Sequence, residues 1–333
     1  MKALVLTAPE GPRSASVTEV PTPVPGPGEA RVALKGAALN HRELWVTLGQ
    51  YPGMTLPSTL GADGAGIVDA VGAGVDDSLV GQAVVVYPAA NWGDNPDYPA
   101  PEFGCLGMPY PGTLAEYICV PAATLVPKPE DFSFTEAAAV SLAGLTAWRC
   151  LTVKARVRAG EKVLITGIGG GVALAALSLA VAMGAEVYVT SSSQDKIDQA
   201  VAMGARGGVL YREAHWGKAL TGLSGGVDVV IDGAPAASFG EYRRSLNMGA
   251  RVVIYGPTGG NKFEVVAPEL FFRHATLYGS AMGTPEDFRA MMAFVAKHRL
   301  KPVIDKTFTL DQSVDALLYL QREHGMGKVA ITI

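Results

Sequence analysis

Between Val163 and Ala173 a short apolar run, Val163-Leu164-Ile165-Thr166, breaks into Gly167-Ile168-Gly169-Gly170-Gly171 and resumes as a helical stretch from Val172. A strand, a glycine turn and a helix N-terminus together suit a pyrophosphate. Free backbone N–H groups and the positive end of the helix dipole face the anion, and missing side chains let it approach. Two glycine registers are available. Gly167-x-Gly169-x-x-Val172 puts a branched side chain where helix must pack on strand. Gly167-x-x-Gly170-x-x-Ala173 keeps all three positions small and is the register preferred here.

The next strand, Glu186-Val187-Tyr188-Val189-Thr190, follows a helix expected from Val172 to about Met183 and capped by Gly184. An NAD site carries Asp or Glu at the end of this strand, about 20 residues past the turn, to hold the ribose 2′-hydroxyl. Here the strand ends in Ser191-Ser192-Ser193, with Lys196 one helical turn further on. Hydroxyls, a helix N-terminus and a lysine suit an anion better than a diol. The expected cofactor is therefore NADPH, although the serines read equally as helix caps, a role compatible with binding.

Positioning these residues requires a large fold. Residues 163–190 are nearly all apolar and would fill a transmembrane window of about 20 residues. The glycines and Glu186 interrupt that run, and alanine-rich helices on a parallel sheet have the same composition, so no membrane span is expected. A chain of 333 residues predicts about two domains. Only 17% of residues are charged and the net charge is −4, which excludes a basic footprint for nucleic acid. Met1–Pro9 is too short an apolar stretch for a signal peptide and reads as a first strand. Cys105, Cys119 and Cys150 are far apart and odd in number, as expected of free thiols in a reducing cytoplasm.

Six β-rich runs follow one another from about residue 160 to 282: Val163–Thr166, Glu186–Thr190, Gly207–Tyr211, Val227–Asp232, Arg251–Tyr255 and Thr276–Ser280. Helical stretches separate most of them, the alternation of a parallel doubly wound sheet. The first 125 residues instead punctuate short runs (Ala30–Leu34, Ala65–Val71, Ala83–Tyr87) with Pro and Gly clusters, as in a small irregular β barrel. After Met282 the pattern predicts a helix (Pro285–His298), a strand (Val303–Leu310), a helix (Asp311–Glu323) and a strand (Lys328–Ile333) that return to the first domain. The expected domains are 1–125 with 283–333, and 126–282, with the cleft between them as the default site.

At this point the chain resembles the medium-chain dehydrogenase/reductase superfamily, and within it the zinc-free quinone oxidoreductase and enone reductase branch. The resemblance spans essentially the whole chain. It rests on Ala38–Trp45 (ALNHRELW), Gly49-Gln50-Tyr51-Pro52, Leu60–Gly66 (LGADGAG), Gly112–Tyr117 (GTLAEY), Leu142–Ala147 (LAGLTA) and the closing Gly327-Lys328-Val329. It implies an α/β fold: a doubly wound six-stranded parallel (Rossmann) sheet plus a GroES-like β-barrel domain. Zinc alcohol dehydrogenases of the superfamily take catalytic ligands from a Cys, a Gly-His-Glu triplet and a second Cys. The matching positions here are Asn40, Ala62 with Asp63, and Ala143, and Arg42 stands where the proton-relay hydroxyl would be. The structural-zinc loop has four cysteines in that family; the loop Pro88–Thr113 has only Cys105, among prolines and aromatics, and is expected to shape the pocket.

The resemblance therefore implies metal-free hydride transfer from NADPH to quinones or α,β-unsaturated carbonyls, with the substrate carbonyl polarised and a proton supplied. Asn40 matches an Asn beside the nicotinamide that orients cofactor or substrate. Tyr51 matches a tyrosine that enoyl-thioester reductases use as proton donor, and reads equally as a loop aromatic packed against the cleft. His41 lies near the pyrophosphate or is structural. For the cofactor the resemblance implies Thr146 near the nicotinamide, Gly169, Gly170, Gly171 and Val172 at the pyrophosphate, and Ser191, Ser192, Lys196 and Tyr211 around the 2′-phosphate. Ala234, Tyr255 and Met282 sit at strand ends, where open α/β sheets bind ligands. Two alternatives stand beside this expectation: an enoyl-CoA reductase, and a non-catalytic NADPH-binding sensor or scaffold. A homodimer through Thr276–Ser280 is expected from the family habit of pairing last strands.

Overall fold

Apolar β-branched runs alternate with alanine-rich stretches through the later part of the chain, and they fold as a parallel sheet buried on both faces. The computed structural model describes residues 1–322 and 325–333. It divides into two units, Gly144–Gly283 and Met1–Ala143 with Thr284–Ile333. The division falls inside the helix Phe134–Arg149, where the sequence pattern had placed it at 125/126. The helix begins hard against a strand of the first unit: a Cβ at Gly36 would stand 2.6 Å from the backbone of Phe134 and Thr135.

Among the described residues, Gly144–Gly283 carries six parallel strands: Lys162–Ile165, Glu186–Ser191, Gly207–Leu210, Val227–Asp232, Leu246–Ile254 and Thr276–Gly279. Their spatial order is third, second, first, fourth, fifth, sixth, the doubly wound arrangement. Each matches one of the six runs read from the sequence, the fifth starting earlier, at Leu246. The helix after the first strand spans Gly171–Ala182, and Gly184 (φ 82°) ends it with its N–H on Val181 O. Leu164, Val230 and Val252 pack against Trp216, Phe239 and Tyr242 in the core.

The first unit is built on the long strand Glu29–Ala38. Asp63–Val71 and Lys328–Thr332 both pair with it antiparallel, and Tyr117–Pro121 does so along its first half. The chain's tail thus returns to this unit, as its pattern predicted: Lys328–Thr332 also pairs parallel with Ile304–Thr309. The helix Pro285–His298 has the predicted bounds and starts on Thr284, which accepts from the Asp287 N–H at 3.0 Å. The predicted helix Asp311–Glu323 is a 3-10 turn, Leu310–Gln312, followed by an α-helix Ser313–Gln321; Glu323 lies outside the described residues. Leu4, Leu39, Leu60, Leu114, Leu317 and Val329 form its core.

The loop Pro88–Thr113 has a scaffold of its own. Ala89–Ala90, Gly104–Leu106 and Pro109–Tyr110 pair as a small sheet, Trp92 packs edge-on to Phe103 with ring centroids 5.2 Å apart, and Tyr110 Oη donates to Glu102 O at 2.6 Å. Among the described residues no helix is long and apolar enough to cross a membrane.

Gly66 shows how tightly the two central strands meet: a Cβ there would lie 2.1 Å from Ala33 O. Gly66→Ala is expected to lower stability by about 1–3 kcal/mol, the usual cost of overpacking a rigid contact. Urea denaturation checks this, and an unchanged midpoint would show that the strands can part freely.

Candidate active site

Three polar side chains from distant parts of the sequence converge in the first unit. Asn40 is the N-cap of the short helix His41–Thr47, Asp63 opens its strand and Lys328 opens the closing strand. Lys328 Nζ donates to Asp63 Oδ2 at 2.8 Å and to Asn40 Oδ1 at 2.5 Å. Asn40 Nδ2 donates to the same Asp63 oxygen at 3.0 Å, and the Leu142 N–H meets Asp63 Oδ1 at 2.8 Å. Asp63 is fully buried and Lys328 is 5% exposed, so the ion pair stands in a low dielectric with its hydrogen-bonding capacity largely used. One consequence is chemical. With Oδ1 on the ammonium and one N–H on Asp63, the half-buried Asn40 amide keeps a second N–H and can act toward a further partner only as a donor.

The same helix carries the next layer. Glu43, fully buried, accepts from the Asn40 N–H at 2.7 Å and from Arg42 Nη1 at 3.1 Å. Burial pushes the Glu43 carboxyl up and the Arg42 guanidinium opposes it. Arg42 Nη2 donates to Met108 O at 2.6 Å, and its Cζ lies 4.7 Å from the centroid of the Tyr51 ring. Tyr51 Oη is 3.9 Å from Cys105 Sγ. Burial pushes the Tyr51 hydroxyl above its ordinary 10.0, Cys105 adds to the rise and Arg42 works against it. The phenol therefore keeps its proton through the neutral range.

In the other unit the glycine turn has the geometry of an anion cradle. Gly167 (φ 65°) and Gly169 (φ 137°) occupy backbone regions that favour glycine, and Cβ atoms at Gly167 and Gly170 would meet nothing within 4 Å. Leu174 N–H bonds back to Gly170 O, which leaves the preceding helix N–H groups as donors without an intrahelical partner. The register differs from the one preferred on sequence. Ala173 is buried and Gly167 needs its positive φ, but the middle conformational demand falls on Gly169, because Gly170 is an extended N-cap any residue could adopt. Lys196 lies over the turn, with its Nζ 3.4 Å from where a Gly169 Cβ would be. Ser192 is half-buried at the strand end, and Tyr211 is exposed. Ser191 is buried, and its hydroxyl accepts from the Ser193 N–H at 3.2 Å.

Asp232, fully buried at the end of its strand, accepts from Thr166 Oγ1, the Ala234 N–H, Ser238 Oγ and Tyr242 Oη, all at 2.7–2.8 Å. This carboxylate fixes the strand end that carries Ala234. Tyr255 belongs to the same strand-end group, its N–H on Asp232 O at 3.0 Å, and burial pushes its hydroxyl well up. Thr146 and Met282 are buried, Met282 with a φ of 57°. His41 is exposed at the start of its helix.

Sequence reading passed over the partners that hold these groups. Residue type alone assigns Lys328 no role, although a lysine opening an otherwise apolar closing strand is a usable signal. Glu43 stands three residues after Asn40, the spacing of a capping box, and that was its usable signal; Cys105 gave none. At the positions matching zinc ligands stand Asn40, Ala62 and Ala143, with the Asp63 carboxylate engaged by Lys328, Asn40 and Leu142; that donor set does not suit zinc.

The matches to known proteins agree with this architecture. Residues 26–130 match the alcohol dehydrogenase GroES-like domain and residues 171–297 match the zinc-binding dehydrogenase family. The chain is 34% identical to the zinc-type alcohol dehydrogenase-like protein YogA of Leptosphaeria maculans, over 93% of this chain and 90% of that one. It is 28% identical to a quinone oxidoreductase of Rattus norvegicus, over 95% and 92%. A solved structure described as an NAD-dependent alcohol dehydrogenase matches over 100% of both chains, with 37% identity and a TM-score of 0.94. The chain belongs to the medium-chain dehydrogenase/reductase superfamily, with a GroES-like unit and a Rossmann-like sheet. It is an oxidoreductase of that family, whose members use nicotinamide cofactors.

Lys328→Met would leave the Asp63 carboxylate buried without its cation. The expected loss is about 3–5 kcal/mol, the usual cost of breaking a buried pair. Chemical denaturation measures it; a change under about 1 kcal/mol would mean that water reaches Asp63 in the native protein.

Proposed function

We propose that this protein is a zinc-independent, NADPH-dependent reductase of quinones or α,β-unsaturated carbonyls, acting in the cytoplasm. The observation that carries the proposal is the Asn40–Asp63–Lys328 cluster. It fills the positions of a metal site with an internal ion pair and leaves an amide N–H to polarise a carbonyl. When bound, the nicotinamide supplies hydride. Asn40 then stabilises the oxygen on which negative charge develops, and Tyr51, protonated in the neutral range, gives the proton.

The cofactor would lie on the glycine turn, with Gly169, Gly170, Gly171 and Val172 at the pyrophosphate and Ser192, Lys196 and Tyr211 toward the 2′-phosphate. Ser191 would act through the turn it holds, and Thr146, Ala234, Tyr255 and Met282 would border the rest. An ammonium over the turn and no carboxylate at the end of Glu186–Ser191 support NADPH. A homodimer through Thr276–Gly279 is part of the proposal. That strand is an edge of its sheet, and Met248, Phe271 and Phe272 are exposed apolar side chains in the same unit.

Assay of quinones, enals, enones and enoyl-CoA thioesters with NADPH and NADH, and of primary alcohols with NADP+ and NAD+, tests the proposal. Turnover confined to alcohols with NAD would overturn it, turnover confined to enoyl-CoAs would favour the thioester alternative, and tight binding without turnover would favour a sensor. Lys196→Ala is expected to raise KM for NADPH about tenfold while changing that for NADH little, the scale of one lost charge-assisted hydrogen bond. Equal effects on both would remove the 2′-phosphate assignment. Tyr51→Phe is expected to lower kcat on enones about 10²-fold or more with cofactor affinity unchanged; parental rates would take Tyr51 out of the mechanism.

A further inference from the structure

We infer that Arg42 is a positioning residue for the Tyr51 phenol, holding its guanidinium over the ring and stabilising the phenolate left when the proton is given. The inference rests on the reading of Tyr51 as proton donor.

A guanidinium is costly to bury, and apolar residues of similar volume often serve stability as well or better. Yet the helix His41–Thr47 turns Arg42 and Glu43 inward, 7% and 0% exposed. The fork is held at two points, Nη1 on Glu43 Oε1 and Nη2 on Met108 O, while Arg42 Nε has no hydrogen-bond partner among the described residues. That incomplete satisfaction is poor design for stability alone. What the geometry does achieve is a cation held by two hydrogen bonds with its Cζ 4.7 Å from the Tyr51 ring centroid.

The other titratable group facing Tyr51 is Cys105, on the strand Gly104–Leu106, and burial pushes its thiol up so that it stays neutral. Glu43 reaches this corner through Arg42, as its ion-pair partner. Arg42 is thus the cation that favours the ionised phenol. In the transfer, the Tyr51 O–H bond breaks, its proton passes to the substrate enolate, and the phenolate remains against the guanidinium until water restores the proton.

The test measures Tyr51 directly. Uniform 3,5-difluorotyrosine labelling brings phenol titrations down to a range where the protein stays folded. The 19F resonance missing from Tyr51→Phe identifies Tyr51. The double variant Arg42→Met/Glu43→Gln removes both charges and leaves no lone buried carboxylate. In it, the ionised fraction of Tyr51 at a given pH should fall about tenfold, on the scale of one nearby charge, and kcat on an enone should fall with KM for the cofactor unchanged. If the double variant does not fold, Arg42→Gln/Glu43→Gln carries the test: it keeps polar side chains but neither charge, and Tyr51 should again titrate higher. A Tyr51 titration identical to the parent's in the folded variant would overturn the inference. Parental turnover in Tyr51→Phe, by contrast, would sink the donor reading and leave the titration result standing.

Discussion

The buried ion pair between Asp63 and Lys328 is the constraint on which the first unit depends. It ties the start of one strand to the start of the closing strand, captures the Asn40 side chain that caps a helix, and receives the Leu142 N–H from another. Each component alone would be a liability in an apolar interior. Together they satisfy one another, and a half-satisfied version would be worse than none. The same pair decides what Asn40 can do, because an amide whose oxygen is held by an ammonium presents a donor.

The second unit repeats the principle with a different carboxylate. Asp232 accepts four hydrogen bonds from the ends of adjacent elements and so immobilises the strand ends proposed to border the cofactor. In both units a buried, saturated acid serves as the fixed point, and the side chains proposed to meet ligands are the less buried ones around it: Asn40, Tyr51, Ser192 and Lys196.

Much of this was legible beforehand. All six strands of the parallel sheet and the two-helix, two-strand tail follow from local period and glycine punctuation, which depend on neighbours in sequence. The glycine register did not, because three adjacent glycines look alike until backbone angles show that Gly169, and not Gly170, needs its freedom. Ser191 was equally opaque: its burial and the hydrogen bond its hydroxyl accepts from the Ser193 N–H appear only in the tertiary structure. The dividing point at Ala143 was hidden because the helix that crosses it is continuous.

The sequence by itself determined the class of fold and the strand–glycine turn–helix unit, since each is written in residue types at short spacing; the residues at the zinc-ligand positions were implied by the family resemblance. Tertiary structure alone decided that Lys328 meets Asn40 and Asp63, partners 288 and 265 positions away. It also decided that Arg42 lies against Tyr51. Pairings at such distances depend on the path of the whole chain, and no local period records them.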